Sequence, residues 1–236
     1  MRFIIHELAY EKPLSSGQFR YRRNGLSTGA IEQWRLSAAV DGFRFLRVDL
    51  DAREAQSGRS YLYHLTLDEN GRALQLKYRF WDQTLEIVGN VLLEEKALLI
   101  TRETKEERYE DVLPLPAGYA FWFPATSGLS LLADLPPVTA KTAVTLRTTA
   151  AHPDSLMGPQ KTDIEITHQE PHPVKIMDKT RNLRPLTLRW QDQERKIWLD
   201  DNNWPLMMKR GDGLTAVQTR AIQVQQITRP GNECSH

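Results

Sequence analysis

The sequence predicts a mainly β protein built from antiparallel strands, and three observations carry that prediction. Apolar and polar residues alternate with period two in segment after segment, the pattern of strands with one buried and one wet face. Asn70-Gly71 lies between two such segments and supplies the chemistry of a tight hairpin turn. From Leu186 to about Val224, strand and turn signals alternate regularly, leaving little room for long helices.

In chain order, Phe19 and Tyr21 alternate with Gln18, Arg20 and Arg22, and Trp34, Leu36 and Ala38 alternate with Gln33, Arg35 and Ser37, giving two strands. Over residues 42–50 the apolar parity changes between Phe45 and Leu46, which predicts a strand bent by a β-bulge. Tyr61, Tyr63, Leu65 and Leu67 share a face, Asp68-Glu69-Asn70-Gly71 turns the chain, and Leu74, Leu76, Tyr78 and Phe80 return it. Strands over 85–92 and 97–104, joined by Glu94-Glu95-Lys96, continue the meander. The charged run 102–111 reads as a solvated strand end or a short helix.

The character then changes. Pro114, Pro116, Gly118, Pro124 and Gly128 punctuate an apolar segment holding Tyr119, Phe121, Trp122, Phe123, Leu129, Leu131 and Leu132, and here the chain is expected to cross the core. Strands over 144–149 and 163–167 follow, separated by the turn-rich residues 152–161. Leu186, Leu188 and Trp190, then Ile197 and Leu199, then Leu206 and Met208 lie on strands joined by Gln191-Asp192-Gln193-Glu194, Asp200-Asp201-Asn202-Asn203 and Gly211-Asp212-Gly213.

Length and composition set the class. With 236 residues, 40% apolar and 26% charged, the chain can bury a sizeable core, and all-β units of this length are commonly single domains. No linker or internal repeat divides it, so residues 1–227 are expected to form one β-rich domain and 228–236 a flexible tail. Lys and Arg number 31 against 30 acidic residues, so no global field favours nucleic acid. Cys234 is the lone cysteine, which excludes an intrachain disulfide and a zinc site of several thiolates. The opening apolar run Phe3-Ile4-Ile5 is too short for a signal-peptide core, and no stretch approaches the roughly 18 apolar residues of a membrane helix. A cytoplasmic location is expected, or a periplasmic one if a leader has been removed.

The chemical motifs dissolve on inspection. His168-Gln169-Glu170-Pro171-His172, with His152 upstream, offers imidazoles and a carboxylate, but Gln169 stands where a zinc-protease helix needs Glu and Pro171 opposes the helix, so this is a polar loop. Asp200-Asp201-Asn202-Asn203 lacks the alternating ligand spacing of a calcium loop and reads as a turn. Ser127-Gly128 and Ser130 sit in no Gly-x-Ser-x-Gly elbow, the adjacent carboxylates Glu106-Glu107 and Asp200-Asp201 are poor partners for acid–base work, and no glycine-rich phosphate loop occurs. Arg20, Arg22 and Arg23 beside Phe19 and Tyr21 are ordinary wet-face patterning. No catalytic residue, metal ligand or cofactor is assigned.

The segment Phe123-Pro124-Ala125-Thr126-Ser127-Gly128-Leu129-Ser130-Leu131-Leu132 resembles the Pro-Ala-Thr signature of a bacterial family named for glycolipid binding. The surrounding order is similar too, with a strand bearing Tyr63 and Asp68 before it and a late hairpin carrying Trp198-Leu199-Asp200-Asp201. Members of that family look like the lipoprotein-localisation factors LolA and LolB, whose curved, incomplete barrel holds acyl chains against segments plugging its mouth. The resemblance implies a single curved antiparallel sheet or incomplete β-barrel with one or two short helical or irregular segments plugging the concave side. It also implies a lipid, glycolipid or other apolar small molecule as partner. The family pattern continues with Asn, Thr and a pair of arginines, where this chain has Ser127, Gly128 and the apolar Leu131-Leu132-Ala133.

On this view Trp34, Phe45, Tyr63, Tyr78, Phe121, Phe123 and Leu129 are candidate cavity-wall or plug residues, although the same side chains would equally fill a packed core. Three readings stand open: a non-catalytic binder of an apolar ligand, an enzyme whose site assembles only in three dimensions, and a protein-interaction module. The sequence says nothing of oligomeric state.

Overall fold

A computed structural model describes residues 7–56, 58–149 and 155–223 of the chain. Eight strands run in a meander, each antiparallel to the next: β1 (Glu11–Arg23), β2 (Leu26–Ala39), β3 (Arg44–Asp51), β4 (Ser60–Leu67), β5 (Ala73–Trp81), β6 (Glu86–Leu93), β7 (Ala97–Glu103) and β8 (Arg108–Pro114). The chain then crosses the concave side through the two-residue β9 (Ala120–Phe121) and a 3₁₀ helix (Ser127–Leu132). It returns as β10 (Val138–Leu146), β11 (Pro159–His168), β12 (His172–Ile176), β13 (Lys179–Trp190), β14 (Gln193–Leu199), β15 (Pro205–Arg210) and β16 (Leu214–Gln223).

β16 pairs antiparallel with β1, so the two halves join into one path from β8 at one edge to β9 at the other, with β12 paired to β13 off that path. β9 pairs parallel to β10. Two edges remain, and the sheet curves strongly without closing into a barrel. This is the mainly β, curved-sheet architecture expected, with the chain's own segment 115–132 plugging the concave side.

The period-two patterns explain the core. Tyr61, Tyr63, Leu65 and Leu67 on β4 and Leu76, Tyr78 and Phe80 on β5 are buried on the concave face, and each fully buried side chain of this size contributes roughly 1.5–3 kcal/mol. The hairpin between them turns as its residues demand: Asp68 Oδ1 accepts from the Asn70 and Arg72 N–H groups at 3.0 and 2.8 Å, and Gly71 takes φ +81°. From the crossing segment, Trp122, Phe123, Leu129 and Leu132 are buried in the same core, with Phe123 4.7 Å from Tyr63 and Trp122 5.5 Å from Trp190, ring centre to ring centre. The segment thus packs against both halves of the sheet.

One expectation fails. β3 pairs with β2 and β4 in unbroken register, so there is no bulge at Phe45 and Leu46. The parity change arises because both faces of β3 are covered. Leu46 and Val48 point into the core, while Arg47, on the convex face, is buried in an ion pair with Glu11 (2.6 Å) and beside Ser37 Oγ (2.9 Å). The charged run 102–111 is a β7–β8 hairpin rather than a helix, and its Arg102 is buried, paired with Asp111 at 2.8 Å. A second small cluster, Ile176, Leu183, Trp198 and Leu206, lies apart from the main core, where the β12–β13 hairpin covers the outer face of the sheet. The tail 228–236 lies outside the described residues.

Candidate ligand-binding cleft

The plug is held by a fully buried carboxylate. Glu32 has the same strand parity as Trp34, so β2 aims it at the concave side, where it is 0% exposed. One oxygen accepts from the Ser127 N–H at 2.8 Å and the Ser127 hydroxyl at 2.6 Å; the other accepts from the Thr126 N–H at 2.8 Å and from the Tyr21 hydroxyl. Because the Tyr21 proton is given to Glu32, its oxygen accepts from the Thr126 hydroxyl at 2.8 Å. Burial first, and the adjoining carboxylate second, push the Tyr21 phenol well above its ordinary value. The Thr126-Ser127 entry to the 3₁₀ helix is therefore pinned through its backbone donors.

Next to this latch opens a half-enclosed cleft of about 890 Å³, within the size range of pockets that hold one small organic ligand. The β1–β2 hairpin, the loop after β3, the plug and the ends of β14 to β16 enclose it. Leu26, Ala30, Leu50, Tyr61, Leu129 and Met208 form apolar wall, and Pro124-Ala125-Thr126 forms the side nearest the latch. Arg23, Arg59, Arg195 and Arg210 are its charged lining residues, and no acidic residue lines it among the described residues. Asp212, just outside, bridges two of the arginines, at 3.1 Å to Arg23 and 2.9 Å to Arg210, while Arg59 donates to the Thr148 carbonyl at 3.0 Å.

Arg195 differs from these. It sits on β14 in the same parity as the core residues Ile197 and Leu199, and its register partner across the strand pair is Arg210. Its guanidinium lies 4.9 Å over the Trp190 ring, while its buried Nε has no hydrogen bond and the side chain forms no salt bridge among the described residues. Burial, then repulsion from Arg210, pull its pKa down to about 10, which leaves it charged at neutral pH.

The sequence candidates divide among four places. Leu129 lines the cleft. Tyr63 and Tyr78 are buried in the core against the plug, to which the buried Phe121 and Phe123 themselves belong, with the Tyr78 hydroxyl donating to the Met157 carbonyl at 2.8 Å. Trp34 packs 4.3 Å from Trp204 and borders a smaller hollow of about 330 Å³ with Gly17 and Arg220. Phe45 is on the convex face, beside Arg47 and His64. Sequence reasoning missed Glu32, Arg195 and Arg210, although each carries a legible signal: a charge on the apolar parity of its strand.

His168 Nε2 lies 2.8 Å from the Leu135 carbonyl and its Nδ1 meets Arg184, which makes it a brace between β11, β13 and the end of the plug. His172 begins β12, and His152 lies outside the described residues. Among the described residues no three His, Cys, Asp or Glu side chains gather as metal ligands. Asp200 Oδ1 accepts from the Asn202 and Trp204 N–H groups at 3.0 and 2.9 Å, forming the expected turn. Among the described residues no helix is long and apolar enough to cross a membrane.

Fold and cleft together define an open, curved antiparallel sheet with its own chain folded across the concave side and a cleft beside that segment. No family model matches the chain, and no curated protein does. Among solved structures, a DUF1089 family protein from Pseudomonas aeruginosa is similar at 11% identity and a TM-score of 0.44, the match covering 87% of this chain and 95% of that one.

Proposed function

We propose that this protein is a non-catalytic carrier or receptor for a lipid, glycolipid or other small amphiphile, whose apolar chain lies in the cleft beside the Pro124-Ala125-Thr126 segment. The observation that supports it is the cleft itself: about 890 Å³ left open on the inside of a curved sheet whose remaining concave surface is filled by aromatic and aliphatic side chains. Leu26, Leu50, Leu129 and Met208 would be the walls against which a chain loses water, at roughly 0.8 kcal/mol for each methylene buried. The sequence resemblance to a glycolipid-binding family points the same way.

The polar cluster at the cleft supports binding over catalysis. Both oxygens of Glu32 are each engaged by two donors, all of them from Tyr21 and the plug, so this carboxylate positions a segment and has no lone pair turned to a substrate. The test is uptake of a fluorescent fatty acid by freshly purified protein, with native mass spectrometry of the same sample. One-to-one saturable uptake is expected, and it should be blocked when Ala30→Trp or Ala55→Trp fills the cleft. Absence of uptake at micromolar protein, or uptake unaffected by both substitutions, overturns the reading.

A further inference from the structure

Two half-buried cations side by side, one of them with a buried, unbonded Nε and no salt bridge of its own among the described residues, form an arrangement that folding alone does not favour. Arg195 and Arg210 are direct cross-strand partners on the concave side, where like charges repel. Asp212 is shared between Arg210 and Arg23, and its charge favours the Arg195 cation through space without a salt bridge to it. The Arg195 Nε is buried and unbonded, and a guanidinium carries five donors suited to planar or tetrahedral oxyanions. The oxygen of the nearby Tyr21 phenol already accepts from the Thr126 hydroxyl and N–H and makes no hydrogen bond with Arg195 among the described residues. Four arginines and no acid line the cleft among the described residues, in a chain whose total charge is close to balanced, so positive potential is concentrated at this place.

We infer that the cleft selects amphiphiles with an anionic head, a carboxylate or a phosphate, and that Arg195, seconded by Arg210, is the residue that binds that head while the apolar chain lies against Leu26, Leu50 and Leu129. This rests on the binding reading above and narrows it. The Trp190 ring, its centre 4.9 Å from the guanidinium carbon, packs against the cation and lowers the entropy lost when an oxyanion arrives. A bound anion gives Arg195 a direct ion-pair partner, so ligand binding should stabilise the β14–β15 region as well as fill the cleft.

The experiment is calorimetric titration of one chain length with different heads: dodecanoate, monododecyl phosphate and the neutral monolauroylglycerol, all below their aggregation limits, and inorganic phosphate alone. At low salt the two anionic amphiphiles should bind about 10- to 100-fold more tightly than the neutral one, the size of one hydrogen bond to a charged group. Arg195→Gln should remove most of that preference by weakening the two anionic amphiphiles far more than monolauroylglycerol. Added sodium chloride should weaken the anionic ligands selectively in the unsubstituted protein, a readout that needs no variant to fold.

Equal affinity for all three heads, or a preference that survives Arg195→Gln, overturns the inference while leaving the cleft reading in place. Inorganic phosphate binding as tightly as monododecyl phosphate also overturns it, because the site would then hold a bare anion and the chain would contribute nothing. Failure of all the amphiphiles, the neutral one included, sinks both the inference and the reading on which it rests.

Discussion

Glu32 receives two hydrogen bonds from Ser127, one from the backbone N–H at 2.8 Å and one from the hydroxyl at 2.6 Å, and this contact spans 95 residues of sequence. It ties the middle of β2 to the start of the 3₁₀ helix in the crossing segment. Glu32→Gln replaces an acceptor oxygen by an amide that faces donors, leaving buried N–H or O–H groups unmatched. We expect a loss of about 2–4 kcal/mol in urea unfolding, characteristic of a broken buried polar network. A loss below about 0.5 kcal/mol would mean that the plug is held by packing alone.

Gly128 is required by contact with Phe123. A Cβ at this position would collide with the Phe123 carbonyl oxygen and lie 2.9 Å from its ring Cδ2, and the carbonyl belongs to the plug's own backbone. Gly128→Ala should therefore cost about 1–3 kcal/mol by overpacking, measured as a lowered thermal midpoint, with altered fluorescence of the neighbouring Trp122.

Acid should destabilise the protein in two stages. Burial first, and repulsion from Arg47 and Lys77 second, lower the pKa of His64 from 6.5 to about 4. The unfolded chain therefore binds more protons than the folded one between those values, and stability conferred by neutral His64 is complete above pH 6.5 and falls as pH drops toward 4. Burial raises the pKa of Glu11, but hydrogen bonds from Arg47 and Ser37 more than offset this and hold it below 4.5, so its contribution is present above pH 4.5 and is lost below. The urea midpoint should decline from pH 6.5 downward in the native protein, and His64→Leu should flatten the upper stage alone.

Arg195→Met should be nearly neutral for stability. It gives up a cation–π contact with Trp190 of about 0.5–1 kcal/mol and relieves a cross-strand repulsion of about 0.2–1 kcal/mol, so the two terms cancel to within about 1 kcal/mol. Urea unfolding that shows a loss above about 2 kcal/mol would identify Arg195 as a structural residue and remove the physical reason for assigning it to a ligand.

The sheet was legible in the sequence because one face of each strand is apolar: Tyr61 to Leu67 and Leu74 to Phe80 alternate cleanly, and Asn70-Gly71 marks the turn. The crossing segment was legible because Pro114 to Gly128 interrupts an apolar run that no strand period fits. β3 misled because Arg47 is buried on the convex side by Glu11, a partner 36 residues away that alternation cannot reveal. β12 was absent from the prediction because Pro171 and Pro173 flank His172, although Pro173 takes its place in the strand opposite Asn182. The cleft was illegible for a different reason. Its walls come from the β1–β2 hairpin, the plug and β14 to β16, and aromatic residues drew attention to positions such as Tyr63 and Phe123 that are packed solid, whereas the open space is bordered mainly by smaller side chains and arginines.

The most direct measurement is equilibrium displacement of a fluorescent fatty acid from the native protein, compared with Ala30→Trp and with Val112→Trp on the exposed edge strand β8 as a control remote from the cleft. A ligand-filled cleft predicts one-to-one saturable binding that Ala30→Trp abolishes and Val112→Trp leaves intact. No saturable binding by the native protein, or binding equally strong in Ala30→Trp, would contradict it.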